Sequence, residues 1–243
     1  MKTYIRRREK NTQLVVFYGG WGSDENTFVS LCNDEFDFIM FYNYSADEPL
    51  ILPEMKTYER IILIAWSLGV WAAEYMSLKT KIRPDLTIAV NGTPLPADET
   101  YGIPLNIIEG TLNNITEENI GKFYLRMFGS KKSFEANAER MPRRTLKSLH
   151  DELRWLYNRM MEQKEPGFKW DYAVTSLDDR VYPSKNLELY WNSRNETKLI
   201  TLPLPHYFFH KWNTFMDFIT FVEHFSSAGA KEQKIMLKRI KDL

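Results

Sequence analysis

The stretch that decides the fold is Arg60-Ile61-Ile62-Leu63-Ile64-Ala65-Trp66-Ser67-Leu68-Gly69. Its first six residues form a nearly continuous apolar run, which is typical of a buried strand in a parallel sheet. Residues 69–78 then place Val70, Ala73 and Met76 at helical spacing. The stretch therefore predicts a strand, a sharp turn and a helix.

Ser67 lies in this turn, with small residues two positions away on either side. The pattern matches the nucleophile elbow, G-x-S-x-G, in which a strained turn exposes a serine at the carboxyl edge of a sheet. Ala65 replaces the first glycine, and we accept this change because the turn requires only a small side chain. Serine is also a favoured helix N-cap, so a purely structural role for Ser67 stays open at this point.

Strand-like and helical segments alternate along the rest of the chain. Other apolar runs predict buried strands at 13–18, 36–42, 86–90, 168–175 and 198–202. A closing helix is predicted over 212–225. Strands that alternate with helices predict an α/β-hydrolase fold, in which helices cover both faces of a mostly parallel sheet.

A segment between the fourth and fifth of these strands has a different pattern. Residues 111–164 lack strand-like runs and carry apolar residues at helical spacing, so we predict a helical cap insertion there. The expected organisation is a core formed by 1–110 and 165–225, the cap 111–164, and a charged C-terminal tail, 226–243. The tail is expected to be a loose segment with a marginal terminal helix.

Composition limits the classes of function. The 243 residues include 32 Lys and Arg and 32 Asp and Glu, and this zero net charge argues against bulk binding to nucleic acid or to a membrane surface. The single cysteine, Cys32, allows no internal disulfide, and the clustered ligands of a structural zinc site are not found. Neither a signal peptide nor a membrane-spanning run is evident, so we expect a cytoplasmic enzyme with no metal and no cofactor.

The histidines suggest where a catalytic base lies. The chain order of a hydrolase triad in this fold is Ser, then Asp or Glu, then His. His206 directly follows the last predicted strand and should therefore lie at the same sheet edge as Ser67. His150, His210 and His224 are expected within helices. We expect His206 to be the base that activates Ser67.

The triad acid is expected after the preceding strand, within Thr175-Ser176-Leu177-Asp178-Asp179-Arg180-Val181-Tyr182-Pro183. The hydrolase pattern here is a small residue, two others, Asp, three others and Pro, which Ser176, Asp179 and Pro183 match. Asp178 is one residue out of register and remains the alternative. A solvated acidic turn is the non-functional interpretation, but three sites in the correct order favour a complete triad with Asp179.

An oxyanion hole needs two backbone N–H groups aimed at the developing negative charge. One is expected from Leu68, the residue after the nucleophile. The other is expected from the glycine-rich loop 19–22, with the N–H of Trp21 as the donor. The same loop is a weak candidate for binding phosphate, because no Lys-Ser or Lys-Thr pair follows it.

Six segments also carry a family resemblance. They are Tyr18-Gly19-Gly20-Trp21-Gly22, Ala65-Trp66-Ser67-Leu68-Gly69-Val70-Trp71, Ala89-Val90-Asn91-Gly92-Thr93, Gly110-Thr111-Leu112, residues 122–134 and Pro205-His206-Tyr207. Together they resemble the BioG-type pimeloyl-[acyl-carrier protein] methyl ester esterases of biotin synthesis, over about residues 13–225. The resemblance implies hydrolysis of a carrier-linked methyl ester to methanol, with Ser67 as nucleophile, His206 as base and Asp179 as its partner.

The predicted cap carries excess positive charge. Residues 120–160 contain ten basic and four acidic side chains, an excess of six in a chain of zero net charge. Carrier proteins are acidic, so the cap is a candidate docking face for acyl carrier protein, formed by Arg140, Arg143, Arg144 and Arg154. Alternatively, the long basic side chains only solvate amphipathic helices.

Two other functions stay open. A generic esterase or thioesterase for small esters would use the same catalytic residues, and relative rates on carrier-linked and free methyl esters separate the two. A non-catalytic binding protein with the α/β-hydrolase fold would be favoured by an incomplete triad, and in this sequence all three positions are filled.

Overall fold

One seven-stranded sheet organises the part of the chain that the computed structural model describes, residues 1–8, 10–162 and 168–242. Its strands are β1 (Lys2–Arg6), β2 (Gln13–Tyr18), β3 (Asp37–Tyr42), β4 (Arg60–Trp66), β5 (Leu86–Val90), β6 (Tyr172–Ser176) and β7 (Lys198–Leu202). The strand order is β1-β3-β2-β4-β5-β6-β7. β1 is antiparallel to β3 and the other pairs are parallel, as predicted for a mostly parallel sheet.

Helices pack on both faces of this sheet. They are α1 (Leu68–Thr80), α2 (Leu105–Asn113), α3 (Glu117–Phe128), α4 (Lys131–Ala136), α5 (Leu146–Glu162), α6 (Ser184–Asn192), α7 (Phe215–Ser227) and α8 (Ala230–Asp242). Buried residues of α1, α5 and α6 belong to one apolar core, and those of α7 and α8 belong to the other.

β4 lies in the middle of the sheet and shows why its sequence is continuously apolar. Ile61 and Leu63 pack into the core with α1, whereas Ile62 and Ile64 pack into the core with α7. Because successive side chains of a strand point to opposite faces, a strand covered on both sides needs apolar residues at every position.

Four helices, α2 to α5, lie between β5 and β6 in the expected cap region. The first of them begins at Leu105, six residues before the predicted boundary at 111. The predicted end of the cap, residues 163–164, lies outside the described residues. The division into core and cap stays a proposal, and α2 to α5 are called the cap below.

Two elements differ from expectation. β1 was not predicted, because its residues form neither a continuous apolar run nor a polar–apolar alternation, and it pairs at the sheet edge. The tail, expected to be a loose segment with a marginal terminal helix, forms α8, a helix of 13 residues, because Met236, Leu237 and Ile240 pack against the core to which α7 belongs. Leu243, also in the predicted tail, lies outside the described residues. Among the described helices, none combines the length and apolar character needed to cross a membrane.

Candidate active site

Ser67 occupies a strained turn between β4 and α1. Its φ of 57° and ψ of −128° are values that residues with a Cβ rarely adopt. The turn is packed closely, since a Cβ added to Gly69 would lie 2.2 Å from the carbonyl oxygen of Tyr18. A Cβ added to Gly92 would lie 2.2 Å from the carbonyl oxygen of Ser67 itself. The structure therefore has the strained strand-to-helix turn that the sequence predicts at Ser67, and its role as a nucleophile stays a prediction.

His206 and Asp179 form a buried pair at the carboxyl edge of the sheet. Nδ1 of His206 lies 2.6 Å from Oδ2 of Asp179, and the two side chains are 1% and 0% exposed. The other oxygen of Asp179 accepts the N–H groups of Val181 and Tyr182, each at 2.8 Å. Asp178, the alternative in the sequence, is exposed. The structure thus brings His206 together with Asp179.

Two further residues hold His206, and sequence reasoning gave neither of them this role. The carbonyl oxygen of His206 accepts hydrogen bonds from Nδ2 of Asn91 at 2.8 Å and from Nε1 of Trp66 at 3.1 Å. The Trp66 ring also packs on the imidazole, with ring centroids 5.1 Å apart. Asn91 has a positive φ of 45°. Its position directly after β5, at the sheet edge where Ser67 also lies, is the sequence signal that could have identified it.

The two expected oxyanion donors border the same cavity as Ser67 and His206. Leu68 is the first residue of α1, so its N–H has no partner within the helix. The backbone N–H of Trp21 donates to no protein acceptor in the described ranges. Both amides are therefore available to a ligand oxygen.

The cavity has a volume of about 490 Å³ and extends from Ser67 under the cap. Much of its lining is apolar and comes from α2, α3 and α5, including Ile108, Ile120, Phe123 and Leu153. Three cationic side chains also line it, and all three residues are exposed: Lys122, Arg126 and Arg180. A volume of this size and an apolar lining with a few polar groups are typical of a site for a small organic group.

The four arginines predicted for docking differ in solvent exposure and in their contacts. Arg143 and Arg154 are exposed, and Arg140 is partly buried. Arg144 does not belong with them, because its side chain is 7% exposed and its Nη1 lies 3.2 Å from Oε2 of the buried Glu152. Arg144 also donates to the carbonyl oxygen of Ser23 at 3.0 Å, so it joins the cap to the core. These contacts favour a structural role, and docking by Arg144 stays a prediction.

The remaining histidines and the cysteine are not among the residues that line the cavity at Ser67. His150 contacts Arg154 on α5, His224 pairs with Glu232, and His210 lies in the 3-10 turn Phe209–Lys211, before the closing helix. Cys32 is partly buried, and burial raises the pKa of its thiol to about 12. Within the described part of the chain, no three His, Cys, Asp or Glu side chains are grouped so that they could hold a metal ion.

The sequence comparisons point to one family. Residues 1–217 match the family described as pimeloyl-ACP methyl esterase BioG. The chain is 38% identical over 180 residues to a malonyl-[acyl-carrier protein] O-methyltransferase of Bacteroides fragilis, which covers 74% of this chain and 36% of that protein. It is 35% identical over 184 residues to an uncharacterized protein of Haemophilus influenzae, covering 74% and 83%. The chain thus spans about a third of the length of the Bacteroides relative.

Solved structures give a consistent result. BioG from Haemophilus influenzae matches with a TM-score of 0.79 and 31% identity, over 89% of this chain and 99% of that one. An esterase from Exiguobacterium antarcticum matches with a TM-score of 0.66 and 14% identity, over 91% and 96%. MenH from S. aureus matches with a TM-score of 0.52 and 15% identity, over 99% and 98%. The last two concern the fold alone, and the predicted α/β-hydrolase fold is confirmed.

Proposed function

Because the chain belongs to the BioG family of pimeloyl-ACP methyl esterases, we propose that it is a serine carboxylesterase acting on the methyl ester of pimeloyl-[acyl-carrier protein] in biotin synthesis, in the cytoplasm. The observation that carries the proposal is the buried His206–Asp179 pair, 2.6 Å apart, in the cavity lined by Ser67. A serine hydroxyl is a weak nucleophile on its own, and an oriented imidazole is what activates it.

In the first half of the reaction, Oγ of Ser67 attacks the ester carbonyl carbon while Nε2 of His206 accepts the hydroxyl proton. Asp179 keeps the other imidazole proton on Nδ1 and stabilises the positive charge that forms. The carbonyl oxygen becomes an oxyanion, which accepts hydrogen bonds from the N–H groups of Leu68 and Trp21. The bond to the methoxy oxygen then breaks, and methanol leaves with the proton from His206.

In the second half, a water molecule replaces methanol. His206 removes a proton from the water, which attacks the acyl carbon bound to Ser67. The bond to Oγ breaks, Ser67 recovers its proton from His206, and the carboxylic acid is released. The same two amides stabilise the second oxyanion, so no group other than those of the chain and water is needed.

The cavity supports the type of substrate. A pimeloyl methyl ester is an apolar chain with the reacting ester at one end and the carrier at the other. The apolar lining under the cap suits the methylene chain, whereas the exposed cations Lys122, Arg126 and Arg180 border the same cavity. A phosphate-linked arm and an acidic carrier protein would meet favourable charge there.

The Bacteroides relative supports a carrier-linked substrate in a second way. Its name describes methylation of a carrier-linked acid, and this chain matches only 36% of its length. The methylating activity of the relative therefore need not belong to the part of it that this chain matches. In that part, this chain has the buried His–Asp pair and the strained serine, which suit ester cleavage. We propose hydrolysis rather than methyl transfer for this chain.

The test compares two methyl esters, one carried on acyl carrier protein and one free in solution. Mass spectrometry of the carrier should show conversion of the ester to the acid by the native protein, with a higher kcat/KM than for the free ester. Ser67→Ala should abolish both reactions and labelling by a fluorophosphonate, while the circular dichroism spectrum stays unchanged. Equal kcat/KM on the two esters would instead indicate a generic esterase, and labelling that persists in Ser67→Ala would exclude this nucleophile.

A further inference from the structure

A fully buried carboxylate lies outside the proposed triad. Glu152, on α5, is 0% exposed, and Oε2 lies 3.2 Å from Nη1 of Arg144. Burial raises the pKa of this carboxyl, while Arg144 and two backbone amides act in the opposite direction. Burying an ionisable group is costly unless each oxygen has a partner, so the contacts of Glu152 indicate what the group does.

Those contacts lead to the loop that carries the proposed oxyanion donor. Oε2 of Glu152 accepts the N–H of Gly22 at 3.1 Å, one residue after Trp21. The indole Nε1 of Trp21 donates to the carbonyl oxygen of Leu149 at 2.8 Å, also on α5. Gly22 has a φ of 77°, and a Cβ there would lie 3.0 Å from the side chain of Leu149. The glycine-rich loop 19–22 therefore packs directly against α5.

Glu152 also reaches the loop after β3. Its Oε1 accepts the N–H of Tyr44 at 3.1 Å, and the hydroxyl of Tyr44 donates to the carbonyl oxygen of Gly19 at 2.7 Å. The two oxygens therefore join α5 to both loops at this part of the sheet edge. Gly19 and Gly22, at the two ends of the glycine-rich loop, are each held through this one side chain or its direct partner.

The direction of the Trp21 N–H follows from the peptide planes around it. The carbonyl oxygen of Gly20, in the same peptide group, accepts the hydroxyl of Ser23 at 2.7 Å. The N–H and C=O of a trans peptide point in opposite directions. The bond from Ser23 to the carbonyl oxygen of Gly20 therefore also restricts the direction of the Trp21 N–H. Glu152 fixes the next peptide group through Gly22. Together the two bonds restrict the backbone rotation that would move the Trp21 amide.

From these contacts we propose that Glu152, with its charge balanced by Arg144, is a positioning residue for the oxyanion hole, acting through the Gly22 amide on the N–H of Trp21. The proposal rests on the assignment of Ser67 as a hydrolytic nucleophile and does not depend on a carrier-linked substrate. It assigns the cap a part in the chemical step, because Glu152 and Leu149 both belong to α5.

The main test is Glu152→Gln, measured on a small neutral p-nitrophenyl ester. A glutamine has one oxygen and one NH2 group, so it cannot accept from both the Gly22 and the Tyr44 amides. Loss of one oxyanion donor lowers kcat by about 100- to 1,000-fold in other hydrolases, and a displaced donor should cost about 10- to 100-fold. KM should stay within about 3-fold, because the donor acts on the transition state.

A second measurement separates positioning from general damage. An arylboronic acid that adds to Ser67 mimics the tetrahedral oxyanion, so its affinity should fall by about the same factor as kcat. Asp151→Asn is the matched control, since Asp151 is the partly exposed neighbour on α5 paired with Lys147, and it should retain the native kcat and boronate affinity. If Glu152→Gln does not fold, Arg144→Met combined with Glu152→Gln removes both charges, and the same losses are expected.

The outcomes are distinct. A folded variant with lowered kcat, lowered boronate affinity and an unchanged KM supports the positioning role. A folded variant whose kcat and boronate affinity stay within about 2-fold of the native values, or one that changes only KM, overturns it. Should Ser67→Ala hydrolyse the ester as fast as the native protein, the proposed function fails instead, and that result is independent of Glu152.

Discussion

The two carboxylate oxygens of Asp179 have different partners. Oδ1 accepts two backbone N–H groups, from Val181 and Tyr182, while Oδ2 contacts Nδ1 of His206. The backbone contacts fix the rotation of the carboxylate, so that one oxygen faces the imidazole. In the proposed mechanism, a proton held on Nδ1 leaves Nε2 free to accept the hydroxyl proton of Ser67.

The first prediction at this scale is that Asp179→Asn inactivates the enzyme without unfolding it. The asparagine oxygen should keep the two backbone donors, which turns the NH2 group toward Nδ1 of His206. The imidazole would then carry its proton on Nε2, and kcat on a p-nitrophenyl ester should fall by about 1,000- to 10,000-fold. Asp178→Asn is the control and should stay within about 3-fold of the native rate. A larger loss in Asp178→Asn would reverse the assignment.

The residues that could be predicted at this scale are those that a local pattern marks. The elbow around Ser67 and the spacing from Ser176 to Pro183 are short-range signals in the sequence. The contacts of Asn91 with His206 and of Glu152 with Gly22 join positions 115 and 130 residues apart. Such pairs depend on how the elements pack, so one sequence without the structure does not indicate them.

At the scale of elements, the strands that are buried on both faces were the easiest to predict from the sequence. β2, β4 and β5 lie at the predicted positions, because strands covered on both faces are continuous apolar runs bounded by polar residues. β7 also lies at its predicted position, although it is an edge strand and only partly buried. β1 has only one neighbouring strand and mixed residues, so it lacks that signal. The stability of α8 depends on its contacts with the core below α7, which its own sequence does not show.

The 3-10 turn Phe209–Lys211 carries a second prediction, on pH. Burial, together with the nearby cations Lys211 and Arg140, lowers the pKa of His210 to about 4, while the rings of Phe128 and Tyr207 stack on the imidazole. The unfolded chain binds this proton near pH 6.5 and the folded chain only near pH 4. The folded state is therefore destabilised as pH falls through that window, and the loss levels off below about pH 4.

Denaturant unfolding at pH 7 and pH 4.5 tests this effect. His210→Gln should reduce the loss of unfolding free energy between the two pH values by about 1 to 2 kcal/mol, after allowance for partial solvent exposure. His224→Gln removes a more exposed imidazole, on α7, and should leave the loss in place. If His210→Gln leaves the pH dependence of the unfolding free energy unchanged, burial of His210 does not destabilise the folded state at low pH.

At the scale of the whole molecule, the charge of the cap is smaller than the sequence segment suggested. Over residues 105–162 the ten basic side chains face eight acidic ones, so the excess is two. Several lysines pair along their own helices, as Lys122 does with Glu118 and Lys147 with Asp151. In the cap and the lining of its cavity, four exposed arginines take part in no ion pair with a carboxylate among the described residues: Arg126, Arg143, Arg154 and Arg180.

These four exposed arginines carry the last prediction. If they attract an acidic carrier protein, changing all four to Glu should raise KM for the carrier-linked ester by about 10-fold or more, because docking affects binding and not the bond that breaks. High salt should have the same effect on the native protein, since the screening length falls to about 3 Å near 1 M. Hydrolysis of a small neutral ester should change far less when only Arg143 and Arg154, which do not line the cavity, are changed to Glu. Lys234→Glu with Lys238→Glu, both exposed on α8, is the control for a change of net charge away from the cap. Equal losses on both esters, or a carrier-linked KM that does not respond to salt, would show that the carrier docks elsewhere.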